Sequence, residues 1–201
     1  MTNDQQKPFR RSIRLNGYDY TSPGAYFVTS CSQNRRNIFG EIRDDVMIAN
    51  PAGQMLELIW HEIPGKFPTV QLDAFVIMPN HVHFIIFLTA EMMEENLLRG
   101  KDLSDHPIWE EKPSASIPNL KRVYQPSLSQ VLQWYKSITT AKYRQGVKKA
   151  GWPPFSGRIW QQNYYEHIVR NERELNAIRE YIVHNPLKWL EDPDHPNNHN
   201  Q

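Results

Sequence analysis

Two imidazoles, one residue apart, stand at the mouth of the apolar run PNHVHFIIF, residues 79–87. In an extended strand, residues two apart project to the same side, so His81 and His83 point together while Val82 faces away. Neutral imidazole is a common ligand for divalent metals, and two on one strand supply two legs of a site with an open face. The pair alone does not decide the matter, because histidines also serve as ordinary surface or core residues. The neighbours weigh toward function. Each of Phe84, Ile85, Ile86 and Phe87 gains about 1.5 to 3 kcal/mol by burial, and two imidazoles at the head of the same strand forgo that gain.

A second pair lies in REYIVHNP, where Tyr181 and Asn185 are four residues apart. On a helix they would share a face, about 6 Å apart along the axis. A phenol can act as a nucleophile and an amide oxygen can ligate a hard divalent ion. The packing alternative is a half-buried tyrosine beside Leu175, Ile178 and Ile182, with the asparagine before proline as a helix stop. Tyr164 and Tyr165 compete for the nucleophile role, and spacing does not choose among them.

The elements that must position these groups are legible from periodicity. AYFVTSC, residues 25–31, reads as a strand from its aromatic and β-branched content. Asn50-Pro51 supplies an N-cap and a first-turn proline for a helix carrying Met55, Leu56, Ile59 and Ile63. VQLDAFVIMP and HVHFIIFL read as a strand pair broken at Pro79-Asn80. Ser127 and Gln130 form a capping box for a second helix that the pattern ends at Gly146. RIWQQNYYEHIV leans to strand. Asn171 and Glu174 cap a third helix that stops at Asn185-Pro186. This order lacks the regular βαβ alternation and glycine-rich turn of a dinucleotide fold, so an α+β antiparallel sheet with packed helices is expected.

The 201-residue length suits one domain, residues 1–201, with an insertion at about 89–125 where prolines interrupt any period. A hydrophobic share of 39% and a charged share of 22% fit an ordinary globular protein and exclude a disordered chain. No apolar run approaches the roughly 20 residues that a bilayer requires, no signal-peptide pattern opens the chain, and Cys31 has no partner cysteine. A cytoplasmic protein without membrane partners is expected, as monomer or homodimer. Net charge is only +1, yet residues 112–165 hold nine Lys and Arg and no Asp or Glu, interleaved with aromatic rings. Cations for phosphates and flat rings for bases then coincide, although a solvated helix with core aromatics has the same composition.

Taken together, MPNHVH, WQQNYYEH and REYIVHNPLKW, preceded by RRSIRLNGYDYTSPGAYFVTSCSQNR, resemble the REP-associated tyrosine transposases, a branch of the single-tyrosine HUH superfamily. HUH denotes histidine, hydrophobic residue, histidine, which falls on His81, Val82 and His83. The resemblance implies a ferredoxin-like sheet, the HUH motif on a central strand and the tyrosine helix beside it. It assigns Tyr181 as nucleophile and His81, His83 and Asn185 as the seat of Mg²⁺ or Mn²⁺. The implied reaction cuts and rejoins single-stranded DNA at hairpins formed by imperfect palindromes, through a 5′-phosphotyrosine. Lys136, Lys142 and Arg144, with Arg10, Arg11 and Arg14, are the expected backbone contacts. Glu166, His167 and His184 are the candidates to assist loss of the phenol proton. Two rivals remain: a zinc hydrolase that activates water, and a domesticated DNA-binding protein that no longer cuts.

Overall fold

The computed structural model describes residues 17–90 and 124–199. Arg10, Arg11 and Arg14, and most of the 89–125 insertion, lie outside the described residues. Six strands are present among the described residues: β1 (Gly24–Cys31), β2 (Gly40–Arg43), β3 (Val46–Ala49), β4 (Val70–Ile77), β5 (His81–Leu88) and β6 (Tyr165–Val169). Among the same residues lie the α-helices α1 (Pro51–His61), α2 (Ile63–Lys66), α3 (Leu128–Ala150) and α4 (Glu172–His184).

β1, β4, β5 and β6 form an antiparallel sheet in the order β4-β5-β1-β6. With α1 following β1 and α3 following β5, this is the ferredoxin-like α+β arrangement, and β5 with its two histidines is a central strand. All eight β5 residues are buried, because both faces of the sheet are covered. Val82, Phe84, Ile86 and Leu88 face α1 and α3, packing with Leu56, Trp60, Leu132 and Tyr135. Ile85 and Phe87 face the other way, into a smaller cluster with Phe27, Leu175 and Ile182 beneath α4. By the period of two, His81 and His83 belong to the α4 side.

The caps explain where the helices begin. Asn50 accepts from the backbone N–H groups of Ala52 and Gly53 ahead of Pro51, which has no N–H to satisfy. Ser127 and Gln130 close the capping box of α3. Asn171 accepts from Glu174 N at the start of α4. Three boundaries differ from the sequence reading. Ile63 starts α2 rather than continuing α1, because Pro64 lacks the N–H a continuous helix would use. α3 runs past Gly146 to Ala150 and ends at Gly151 in the left-handed region (φ 67°). Gly146 instead admits the Trp152 ring, which a Cβ would meet at 2.2 Å. Within RIWQQNYYEHIV only Tyr165–Val169 pairs as a strand, with Trp160 making an isolated bridge to Ser32.

The β2–β3 hairpin had no expectation attached. Asp44 and Asp45 both take left-handed φ values, 49° and 61°, the turn geometry that asparagine and glycine usually announce. No helix among the described residues is long and apolar enough to cross a membrane.

Candidate metal and tyrosine site

His81 and His83 converge as strand geometry requires. Their Nε2 atoms lie 2.9 Å apart and their rings 4.4 Å apart at 70°. Both side chains are buried, and burial pushes both imidazoles toward the neutral form. His81 falls to about 3, helped by the nearby Arg35 charge, and His83 falls well below its ordinary value, helped by His81.

Neighbouring groups fix which nitrogen of His81 carries the proton. The Asn80 side chain donates both amide hydrogens, to the carbonyls of Arg35 (3.1 Å) and Asp194 (2.8 Å). Its Oδ1 can then only accept, and it stands 2.7 Å from His81 Nδ1. Neutral His81 therefore holds its proton on Nδ1 and presents a bare Nε2 lone pair. His83 Nδ1 meets the Thr29 hydroxyl at 2.8 Å, a partner that can donate or accept as the Nε2 end of that ring demands.

A third group that could ligate a metal comes from outside the helix. Asp192 lies just beyond a 3-10 segment, Pro186–Glu191, and places its carboxylate 3.8 Å from His81 Nε2. One atom each of His81, His83 and Asp192 lie within 4.8 Å of one another, all three residues buried. Burial and the Asp194 charge raise the Asp192 carboxyl, while the Asp194 backbone N–H, at 2.6 Å, and the Asn185 side chain pull the other way. Sequence reasoning missed Asp192, because no helical or strand period connects it with the HUH pair. Only the turn of chain after Asn185 brings it back.

Asn185 is itself buried beside this cluster. Its side chain stands near the Asp192 carboxylate and the Tyr181 phenol and pulls the pKa of each downward. Its Oδ1 is buried without a hydrogen-bond partner. An orphaned acceptor of this kind costs about 1 to 3 kcal/mol. Two neutral imidazoles, a carboxylate and that oxygen make a donor set suited to a divalent cation of intermediate hardness. The residues present fit such a group.

Tyr181 projects from α4 over the same cluster. Its oxygen is 3.4 Å from His83 Nε2, and its ring packs edge-on against Phe27 at 6.0 Å. The residue is 41% exposed, so the phenol is reachable from solvent. Burial, then the Asp192 charge, raise its pKa above the ordinary phenol value, and the Asn185 side chain opposes the rise.

The rival tyrosines sort by face. Tyr165, paired with Thr29, lies on the α4 side and meets Phe27 at 6.2 Å, whereas Tyr164 lines a groove on the α3 side. None of the three proton-accepting candidates is in contact with the Tyr181 oxygen. Glu166 pairs with Val28 and faces the α3 side, His167 is bound to Glu174 at 2.7 Å, and His184 bonds the Glu180 carbonyl. Lys136 and Arg144 line the groove on α3, while Lys142, six residues beyond Lys136, is not among its walls. Of the aromatics in the basic stretch, Tyr135, Tyr143 and Trp160 are core, and Tyr124 and Tyr165 are exposed.

A ferredoxin-like sheet with a buried H-x-H pair on a central strand and a helix tyrosine above it is the arrangement that the HUH resemblance implies. No family model matches the chain. It is 38% identical over 186 residues, 91% of each chain, to an uncharacterized protein of Haemophilus influenzae. It is 24% identical over 170 residues, 85% of this chain and 74% of the other, to an H. influenzae protein named "Putative REP-associated tyrosine transposase". Among solved structures, a REP-associated tyrosine transposase bound to a REP hairpin aligns with a TM-score of 0.47 at 19% identity, over 82% of this chain and 67% of that one. The chain belongs to one family with the first of these proteins, and it resembles the REP-associated tyrosine transposases.

Proposed function

We propose that the protein is a transposase-like nuclease that cuts and rejoins single-stranded DNA at hairpin-forming palindromes, with Tyr181 as nucleophile. The observation that carries this reading is the convergence of the Tyr181 phenol on the His81, His83 and Asp192 cluster, with a nucleophile oxygen 3.4 Å from one imidazole nitrogen. The likeness to a protein named as a REP-associated tyrosine transposase supports the choice of substrate.

His81, His83 and Asp192 would hold Mg²⁺ or Mn²⁺, with Asn185 Oδ1 as a further candidate ligand. When bound, the ion supplies charge stabilisation at the nonbridging oxygens of the scissile phosphate. Tyr181 oxygen attacks phosphorus, the bond from phosphorus to the 3′ oxygen breaks, and the products are a 5′-phosphotyrosine and a free 3′-OH that takes up a proton. The Asn185 side chain beside the phenol favours the phenolate over the phenol. Reversal of the same step by a 3′-OH joins strands without external energy, since the phosphoester bond energy is held in the adduct. Lys136, Lys142 and Arg144 on α3, and Arg10, Arg11 and Arg14, supply cations for the DNA backbone.

The test is covalent trapping. Labelled hairpin DNA with an unpaired flank, incubated with Mn²⁺ and resolved under denaturing conditions, should yield a protein-linked band that Tyr181→Phe abolishes and EDTA suppresses. A cleaved product without an adduct would identify water as the nucleophile. Binding that survives EDTA and His81→Ala, with no cleavage, would identify a binding protein.

A further inference from the structure

The α3 side of the sheet carries a groove of about 710 Å³ between that helix and residues 157–164. Lys136, Arg144 and Arg158 stand in its walls, with Gln133, Thr140 and Gln162 between them and no carboxylate among the lining residues. Lys136 is half-buried, and its ammonium donates to the carbonyls of Gln161 (3.0 Å) and Asn163 (3.3 Å) and lies 5.3 Å over the Tyr164 ring. No ion pair of Lys136 is found among the described residues. Burial lowers its pKa to about 8, so an anion in the groove would stabilise the charged form. Three cations in a concave wall without acidic partners form a positive field that a phosphodiester complements.

The groove is tied to the catalytic end of the sheet. Its wall joins the end of β1 through Gln161 N to Cys31 O (2.9 Å) and the Ser32–Trp160 bridge, and Cys31 pairs with His81. The imidazoles on β5 lie two strands in from the β6 edge, on the opposite face of the sheet from the groove. Strand alternation then sends successive rings to the two sides, Tyr164 into the groove and Tyr165, 52% exposed, toward Phe27 and Tyr181.

We propose that this groove is a second nucleic-acid subsite, which seats backbone phosphates of an unpaired strand on Lys136, Arg144 and Arg158 and passes that strand around the β6 edge, over Tyr165, to Tyr181. The assignment rests on the reading of the protein as a single-stranded DNA nuclease and adds a defined path to it. The strand's bases stack on Tyr165 as they round the edge, a sequence-tolerant contact.

The experiment is fluorescence anisotropy with a labelled oligo-dT of about 15 nucleotides, the scale of single-strand binding sites, in EDTA across a salt series. Arg144→Gln and Arg158→Gln should weaken binding and together lower the salt slope by about 0.7 for each lost phosphate contact. Tyr165→Ala should weaken it about fivefold or more with the slope unchanged. Lys136→Arg should retain affinity where Lys136→Met loses it, and thermal melting of each variant checks that the fold persists. Wild-type affinity and slope in the double arginine variant would overturn the proposal, as would displacement of the oligo by duplex DNA as readily as by unlabelled oligo-dT. If wild-type protein binds through the groove yet traps no adduct, the nuclease reading fails and the subsite stands. If adduct forms and the groove variants bind and react normally, the subsite fails and the nuclease stands.

Discussion

At the scale of single residues, the site is governed by which atoms are left without a choice. Asn80 spends both donors on carbonyls from two distant parts of the chain, so its oxygen must take the His81 Nδ1 proton and leave Nε2 bare. Asn80→Ala removes that constraint while leaving every ligand atom in place. Isothermal titration with Mn²⁺ should show affinity reduced about 10- to 100-fold, the usual consequence of losing a ligand's orienting partner. Unchanged affinity would show that Thr29 and burial alone orient the pair. Asp192→Asn tests the proposed third ligand in the same titration. It keeps shape and hydrogen bonding but removes the charge, and should weaken Mn²⁺ binding more than Asn185→Ala does if the carboxylate is the stronger ligand.

At the scale of elements, α3 illustrates how tertiary contact reverses a local rule. Glycine inside a helix usually costs about 1 kcal/mol relative to alanine, so Gly146→Ala on an unobstructed helix would stabilise. Here the added methyl would sit 2.2 Å from the Trp152 ring, whose backbone N–H also bonds the Gly146 carbonyl. The ring would have to leave its place beside Tyr143. Gly146→Ala should therefore destabilise by about 1 to 3 kcal/mol in urea unfolding. A stabilised variant would mean that the Trp152 ring moves aside without loss. The same helix carries Lys136 and Arg144 toward the groove, so displacement of its last turns should also weaken oligonucleotide binding.

At the scale of the whole molecule, a site built from buried neutral histidines makes stability depend on pH. Unfolded histidine titrates near 6.5. His81 in the fold titrates near 3 and His83 well below its ordinary value, both chiefly through burial. Between those limits the unfolded chain binds more protons, so the histidine contribution is complete above about pH 6.5 and is lost on acidification, by about 1.4 kcal/mol per pH unit for each histidine. Asp192 has the opposite sign. Its raised carboxyl holds a proton in the fold where an unfolded aspartate has released it, so it favours folding as pH falls through its folded pKa. Two histidines outweigh one carboxyl. The urea midpoint in EDTA should fall steadily from pH 7 to pH 5, and His83→Gln should flatten the dependence. A midpoint level across that range would show that the imidazoles are charged or exposed.

Much of this was readable from one-dimensional pattern. Period-two alternation placed His81 and His83 on one face, period-3.6 spacing placed Tyr181 and Asn185 together, and Asn50, Ser127 and Asn171 marked three helix starts that the structure retains. These are local quantities, set by backbone geometry within a few residues, so the sequence by itself determined them. Asp192, the proton position on His81, the role of Gly146 and the groove behind β6 depend on chain segments more than 20 residues apart or on packing around a turn. No local period encodes such meetings. They were decided only when β1, β5 and the segment after α4 closed on one another, because burial and donor satisfaction are properties of the assembled interior.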